Sequence, residues 1–156
     1  MQRAVYDILT PVGTLRLTET DGLLSGVGFA QGACLYTEKT PLLQETARML
    51  HAYFAGERRE FDLPLAQEQG TAFQNAVWRA LRKIPYGETV SYGDIAREIG
   101  HPKAFRAVGM ACHVNPIAII VPCHRVIGTN GKLTGYAEGL QVKKALLELE
   151  REGLRK

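Results

Sequence analysis

A cysteine and a histidine are neighbours at Cys123 and His124, directly after an apolar stretch that ends at Pro122. Only the thiolate form of cysteine is a strong nucleophile, and a nearby base or positive charge increases the thiolate fraction. His124 offers the base and Arg125 the charge, so the pattern indicates a nucleophilic cysteine. The stretch Ile117–Val121 resembles a strand, and in an extended backbone adjacent side chains diverge, so a bridging water would carry the proton to His124. The alternative interpretation is a buried, inert thiol.

The composition is that of an ordinary folded protein. The 156 residues are 46% hydrophobic and 22% charged, enough for one domain or two small ones. No stretch approaches the roughly 20 apolar residues that span a bilayer, and the first residues lack the apolar core of a signal peptide. The cysteines, Cys34, Cys112 and Cys123, lack zinc-site spacing. We therefore expect a cytoplasmic protein without metal or cofactor, and a Cys112–Cys123 bond on oxidation stays open.

Positive charge is concentrated around the candidate nucleophile. Residues 1–70 carry 6 Lys/Arg against 9 Asp/Glu, whereas residues 71–135 carry 8 against 3. This distribution suits a polyanionic partner such as DNA. Ordinary surface variation is the alternative explanation.

The N-terminal part reads as an antiparallel sheet with one helix. Thr14–Thr18 alternates in polarity, and the turn signal Asp21-Gly22 separates it from Leu23–Phe29. Apolar residues at helical spacing then predict a helix near residues 41–55. The linker-like stretch 55–70 suggests domains at 1–64 and 65–156. The expected fold class is α/β (α+β), with a mostly helical C-terminal domain.

The C-terminal part predicts a series of helices. Thr71 and Gln74 form a capping-box pattern, and Ser91 is expected to cap a helix ending near residue 99. A further helix from Lys103 to about His113 completes a helix-turn-helix pattern. The last helix, from residue 140 to about 151, is expected to bury Val142, Leu146 and Leu149, with Glu150 one position beyond this stripe.

The second helix of the helix-turn-helix pattern is poor in long polar side chains. A helix that reads bases in the major groove usually carries them, but this one offers Ala107, Val108 and Gly109. Small residues permit close approach to a minor groove, where recognition depends little on sequence.

The motif Pro122–Val126 resembles the active-site signature of the O6-alkylguanine-DNA alkyltransferases, which repair DNA by moving an alkyl group onto their own cysteine. The resemblance runs from Thr71 to Glu150. Its other pieces are Ile84–Gly87, Ser91-Tyr92, Arg106–Gly109, Asn115-Pro116 and Gly135-Tyr136.

The resemblance implies a single-use transfer from O6-alkylguanine, and more weakly from O4-alkylthymine, to Cys123. It implies that His124 deprotonates Cys123 through water, that Glu150 orients His124, and that Asn115 ties the helix-turn-helix to the active-site loop. Without the resemblance, Glu150 would be interpreted as a solvated charge and Asn115 as a turn residue.

The resemblance also implies how damaged duplex DNA is held. Arg106 would fill the gap left by a flipped base, and Tyr92 would contact that base. The alternatives are a phosphate contact or a solvated side chain for Arg106 and a structural anchor for Tyr92. The expected substrate-binding residues are Tyr92, Val126, Tyr136, Ala137 and Glu138, with Glu138 standing where relatives often have a small residue. The expected DNA-binding residues are Lys103, Arg106, Ala107, Gly109, Arg125 and Tyr92.

Other functional classes share parts of this pattern. A Cys-His hydrolase would pass through an acyl intermediate and turn over. A lesion-binding protein of the alkyltransferase-like kind would lack the cysteine, and a transcriptional regulator would need a more polar recognition helix. We therefore expect a DNA repair protein that acts as a monomer on duplex DNA, away from membranes.

Overall fold

The computed structural model describes residues 2–30, 36–136 and 139–155. The chain forms two compact units, Met1–Gln67 with Pro116–Ile120, and Glu68–Asn115 with Val121–Lys156. The predicted mixture of an antiparallel sheet with helices is confirmed. The predicted division lay after residue 64 and placed no later segment with the N-terminal part. None of the described helices is long and apolar enough to cross a membrane.

The first unit is built on a three-stranded antiparallel sheet in the order β1-β2-β3. The strands are β1 (Arg3–Thr10), β2 (Gly13–Thr20) and β3 (Leu23–Phe29). Asp21 and Gly22 both have positive φ, 51° and 84°, which matches the tight hairpin turn that the sequence predicts between β2 and β3. Helix α1 (Pro41–Phe54) packs on the sheet.

The apolar segment before the candidate nucleophile is not a regular strand. Ile117 makes an isolated parallel bridge to Val27, and the Ala118 amide donates to the Val27 carbonyl at 2.8 Å. Ile119 then adopts φ 72°, a conformation that breaks an extended backbone and that β-branched residues rarely adopt. The prediction of a strand over Ile117–Val121 is therefore wrong beyond its first residues.

Helices α2, α3 and α4 of the second unit pack on one another. They span Ala72–Leu81, Tyr92–Glu98 and Phe105–His113. The predicted caps are confirmed, because Thr71 and Ser91 each form a reciprocal capping box with the side chain three residues on. Helix α4 begins later than predicted, after Ala104, which has no side-chain cap.

The rest of the second unit consists of a short parallel ladder, a tight turn and a long helix. Strands β4 (Val90–Ser91) and β5 (Val126–Ile127) pair in parallel. A 3₁₀ turn at Cys123–Arg125 directly precedes β5, and helix α5 (Leu140–Leu154) packs on this turn. The candidate nucleophile thus lies in a turn that is continuous with the ladder and in contact with α5.

Candidate active site

Cys123 opens the 3₁₀ turn and is 5% exposed. The turn is closed by the Arg125 amide, which donates to the Pro122 carbonyl at 3.0 Å, and by the Val126 amide, which donates to the Cys123 carbonyl. The expectation of an extended backbone here is wrong. In a 3₁₀ turn successive side chains point about 120° apart, so Cys123 and His124 still face different directions.

His124 and Glu150 form a fully buried pair. The His124 Nε2 atom lies 2.6 Å from Glu150 Oε2. Burial lowers the pKa of His124, and this outweighs the opposing effect of Glu150. A neutral ring beside a carboxylate carries its proton on Nε2, which leaves Nδ1 as a base. Within the described part of the chain, Nδ1 has no hydrogen-bond partner, so its lone pair is available to accept a proton.

Glu150 is ionised in this environment. Burial raises the pKa of Glu150, but the hydrogen bonds and charges of His124 and Arg125 outweigh it and hold the pKa well below its usual range. Oε1 of Glu150 also accepts from the Gly87 amide at 3.1 Å. The carboxylate is therefore a fixed negative charge beside the imidazole.

Arg125 does not face solvent, contrary to its prediction as a DNA contact. Its Nε and Nη2 atoms donate to the two Glu150 oxygens at 2.8 and 3.0 Å, and Nη1 donates to the Ile84 carbonyl at 2.7 Å. The residue is 6% exposed. A guanidinium engaged on all its nitrogens and buried cannot neutralise a DNA phosphate, so this prediction is wrong.

Lys143 is a buried cation that the sequence did not predict. Its ammonium donates to the carbonyls of Val126 at 2.6 Å and Thr134 at 2.9 Å. Burial lowers the pKa of Lys143. The inward face of α5 contains Lys143, Leu146, Glu150 and Gly153, not the predicted stripe of Val142, Leu146 and Leu149. The spacing of these positions is helical, but two of the four residues are charged, so a search for apolar residues does not select them.

An open pocket of about 570 Å³ leads to Cys123, a volume within the range of small-molecule sites. Its walls include Tyr92, Arg106, Gly135 and Tyr136. The Tyr92 hydroxyl donates to the Thr134 carbonyl at 3.0 Å, and burial raises the pKa of Tyr92. The predicted substrate residues Tyr92 and Tyr136 thus line the same pocket as Cys123.

Cys112 also lines this pocket. Burial, with the nearby Cys123 sulfur, raises the pKa of Cys112 to about 12. Its thiol therefore stays protonated near neutral pH, which makes Cys123 the better candidate for a nucleophile. Cys34 lies outside the described residues, as do the predicted substrate contacts Ala137 and Glu138.

Asn115 links the end of α4 to the segment before the nucleophile. Its Nδ2 atom donates to the Val121 carbonyl at 2.8 Å. This hydrogen bond joins the end of α4 to the segment before Cys123, and the role that the resemblance implies for Asn115 stays a prediction.

The predicted DNA contacts on and before α4 lie at the surface. Lys103, Arg106 and Ala107 are exposed, and Gly109 is half-buried at the pocket wall. Met110 is 63% exposed although it is apolar. Helix α4 therefore presents a surface that is small, apolar and flanked by positive charge. Among residues 2–30, 36–136 and 139–155, no cluster of three or more His, Cys, Asp or Glu is placed to hold a metal ion.

Comparison with known proteins agrees with this site. Residues 72–152 match the DNA binding domain of 6-O-methylguanine DNA methyltransferase, and residues 3–67 match the ribonuclease-like domain of the same proteins. The methylated-DNA--protein-cysteine methyltransferase of Methanosarcina acetivorans is 52% identical over 156 residues, covering 96% of this chain and 98% of the relative.

Solved structures show the same similarity. The Mycobacterium tuberculosis O6-methylguanine methyltransferase superposes with a TM-score of 0.87 at 47% identity, over 97% of this chain and 94% of the other. A Mycobacterium tuberculosis OGT solved in complex with DNA gives a TM-score of 0.85 at 50% identity, over 94% and 92% of the two chains. On the strength of both domain matches and of these near full-length relatives, the chain belongs to the 6-O-methylguanine DNA methyltransferase family.

Proposed function

We propose that this protein repairs DNA by moving the alkyl group of O6-alkylguanine onto the sulfur of Cys123. The observation that carries the proposal is the buried His124–Glu150 pair next to a cysteine that lines an open pocket. The family relationship supplies the substrate, since curated relatives are methylated-DNA--protein-cysteine methyltransferases.

The reaction begins with removal of the thiol proton. His124 Nδ1 takes this proton through a bridging water, while Glu150 holds the opposite ring nitrogen and stabilises the imidazolium that forms. The thiolate then attacks the alkyl carbon, an S–C bond forms, and the C–O6 bond breaks with its electrons passing to the guanine. The guanine takes up the proton, so that overall one alkyl group and one proton exchange places.

The product explains why the reaction is single-use. A thioether at Cys123 is a poor leaving group, and the proposed site offers no second nucleophile because Cys112 stays protonated. Each molecule therefore acts once. O4-alkylthymine presents the same kind of alkyl–oxygen bond and is proposed as a weaker substrate.

The damaged base must leave the duplex to reach Cys123, because a stacked base cannot present its alkyl carbon to the thiol. We assign α3 and α4 as a helix-turn-helix that sits in the minor groove through the small residues Ala107 and Gly109. Arg106, which is exposed and lines the pocket, fills the gap in the stack. Lys103 contacts phosphate.

The flipped base is held in the pocket by Tyr92 and Tyr136, which line it. The carbonyls of Cys123 and Val126 accept from the guanine amino group. The Val126 carbonyl already accepts from Lys143, and its second lone pair remains for the base. The resemblance implies that Ala137 and Glu138 also contact the substrate, and a carboxylate at position 138 would narrow the range of alkyl groups that are accepted.

We propose that the protein acts as a monomer. We also propose a location in the cytoplasm, because a reactive thiol of this kind needs a reducing compartment.

Intact mass measurement tests the proposal. The protein is mixed with a duplex that contains one O6-methylguanine, and the modified peptide is then mapped. The expected result is one methyl group on Cys123, guanine restored in the DNA, and reaction ending at one equivalent. Repeated turnover with an unmodified protein would indicate a Cys-His hydrolase, and DNA binding without methylation would indicate a lesion-recognition protein.

A further inference from the structure

The turn Ile84–Gly87 is prominent in the sequence, yet the proposed reaction gives it no role. Its backbone contacts the two residues that surround His124. The Ile84 carbonyl accepts from Arg125 Nη1 at 2.7 Å, and the Gly87 amide donates to Glu150 Oε1 at 3.1 Å. The Tyr86 ring also lies against the Arg125 guanidinium, with 5.7 Å between the ring centroid and Cζ.

We infer that the turn Ile84–Gly87 and Arg125 together are positioning elements of the active site, which fix Glu150 so that His124 keeps its base toward the nucleophile. The inference rests on the proposed function, since it concerns the same nucleophile. It assigns Arg125 to the interior of the site, where its fork-shaped guanidinium spans the carboxylate and the turn.

The turn is itself held by close packing on α5. Gly87 has φ 80°, and a Cβ atom there would lie 2.5 Å from Leu154 Cδ1. A Cβ at Gly153 would collide with the Tyr86 hydroxyl. Because α5 also carries Glu150, the glycines bring the turn and the carboxylate close enough for the Gly87 amide to bond it.

The geometry explains how one carboxylate can bond both the Arg125 guanidinium and the His124 imidazole. Oε1 accepts from Arg125 Nε and the Gly87 amide, and Oε2 accepts from Arg125 Nη2 and His124 Nε2. The guanidinium and the amide therefore fix the plane of the carboxylate, and this plane fixes the direction of the imidazole hydrogen bond. If either support moves, Glu150 can rotate and His124 loses its orientation.

The test uses substitutions that separate charge from geometry. Arg125→Lys keeps the positive charge but cannot make the fork and reach the Ile84 carbonyl together. Arg125→Met removes the charge. The charged groups facing His124 are Glu150 and Lys143 from α5 and Arg125 from its own turn, while α2 presents its apolar face to this turn.

Two rates are measured as a function of pH. One is the single-turnover transfer from an O6-methylguanine duplex, and the other is alkylation of Cys123 by iodoacetamide, followed by peptide mapping. For Arg125→Lys we expect both rate constants to fall about 10- to 100-fold, as when the supporting partner of a site residue is removed, with the acid limb of the profile unmoved. For Arg125→Met the acid limb of the pH–rate profile should move to higher pH. The reason is that Glu150 still stabilises the protonated His124, while the opposing positive charge of Arg125 is gone.

A second set of variants tests the turn without touching a charged residue. Gly87→Ala is combined with Leu154→Ala, which makes room for the new Cβ. Because alanine is strained at this positive φ, the backbone should shift and move the amide of residue 87 away from Glu150. Gly22→Ala is the matched control, because Gly22 has φ 84° in a hairpin of the first unit and open space around it. We expect about a 10-fold loss in both rates for the Gly87 variant and none for Gly22→Ala.

The inference is overturned if Arg125→Lys reacts like the wild type, or if the Gly87 variant matches the Gly22 control. It is equally overturned if every loss disappears after correction for the folded fraction and Arg125→Met leaves the acid limb in place, since that pattern indicates a structural role only. Failure of the wild type to accept methyl from DNA refutes the proposed function instead, and the iodoacetamide profiles then still decide the positioning role.

Discussion

Replacing Glu150 with glutamine removes the negative charge on which the buried site depends. The carboxylate accepts from both Arg125 and His124, and glutamine has the same shape without the charge. Breaking a buried ion pair on one side leaves the partner charge uncompensated, at about 3–5 kcal/mol. For a chain of this size, that loss lowers the melting temperature by about 6–20 °C.

The same substitution should slow the reaction. Without the carboxylate, the protonated form of His124 is less stable, so His124 is a weaker base. General base catalysis contributes about 10²–10⁴-fold to such rates. We therefore expect the single-turnover rate constant of Glu150→Gln to fall at least about 10²-fold. Glu150 raises the pKa of His124, so the acid limb should move to lower pH, opposite to the shift expected for Arg125→Met.

The assay compares Glu150→Gln with Glu148→Gln, an exposed position on the same helix. Both substitutions change the net charge equally, so DNA affinity should match between them. The stabilising effect of Glu150 is present above its ordinary pKa of 4.5 and is lost as pH falls through the lower pKa of the folded protein. The difference in melting temperature should therefore shrink in acid. If the two variants react at equal rates, Glu150 has no place in the mechanism.

Further predictions follow from the same site. Cys123→Ala should bind the damaged duplex with wild-type affinity in a gel-shift assay and accept no methyl group; methylation elsewhere in this variant would refute the assignment of the nucleophile. Arg106→Ala should slow transfer from duplex far more than from free O6-methylguanine base, and equal losses would exclude its role in the stack. Lys143→Met should destabilise the protein by about 1–3 kcal/mol in urea melts because the buried Val126 carbonyl loses the ammonium that donates to it, whereas the exposed control Lys144→Met should stay within about 0.5 kcal/mol; equal stabilities of the two variants would contradict a structural role of Lys143. Because the pKa of His124 lies below its usual 6.5, transfer should be flat through neutral pH and fall only in more acidic buffer, and a midpoint above 6.5 would be inconsistent with a buried neutral ring.

Local signals in the sequence were sufficient for several elements. The capping boxes at Thr71 and Ser91 are each closed by a side chain three residues on, so the information lies within one helical turn. The hairpin at Asp21-Gly22 is equally local, since both residues accept positive φ. Such features depend little on the rest of the fold, which is why they could be predicted.

The predictions that were wrong concern segments whose conformation depends on tertiary contacts. Ile117–Val121 has strand-forming residues, but the bridge to Val27 and the left-handed Ile119 are imposed by the first unit. The sequence could suggest an extended segment and could not reveal where it would bend.

Hydrophobic periodicity failed on α5 because this helix buries charged groups. A search for apolar stripes selects Val142 and Leu149, whereas Lys143 and Glu150 point inward and are compensated by carbonyls, Arg125 and His124. Likewise, a basic residue such as Arg125 beside Cys123 is predicted to contact DNA as long as its carboxylate partner, Glu150, is not known. Buried charge is visible only once the partners are placed.

The short parallel ladder between β4 and β5 has a consequence for how the reaction tolerates change. Val90 pairs with Val126 and Ser91 with Ile127, while Tyr92 directly follows one strand and Cys123 shortly precedes the other. The main-chain pairing of the two strands therefore sets the distance between the Tyr92 side chain and the Cys123 sulfur. Replacing a side chain in the ladder leaves this main-chain pairing intact. Inserting or deleting a single residue in either strand shifts Tyr92 relative to Cys123 by the length of one residue. The transfer reaction should consequently tolerate substitutions in β4 and β5 far better than insertions or deletions in them.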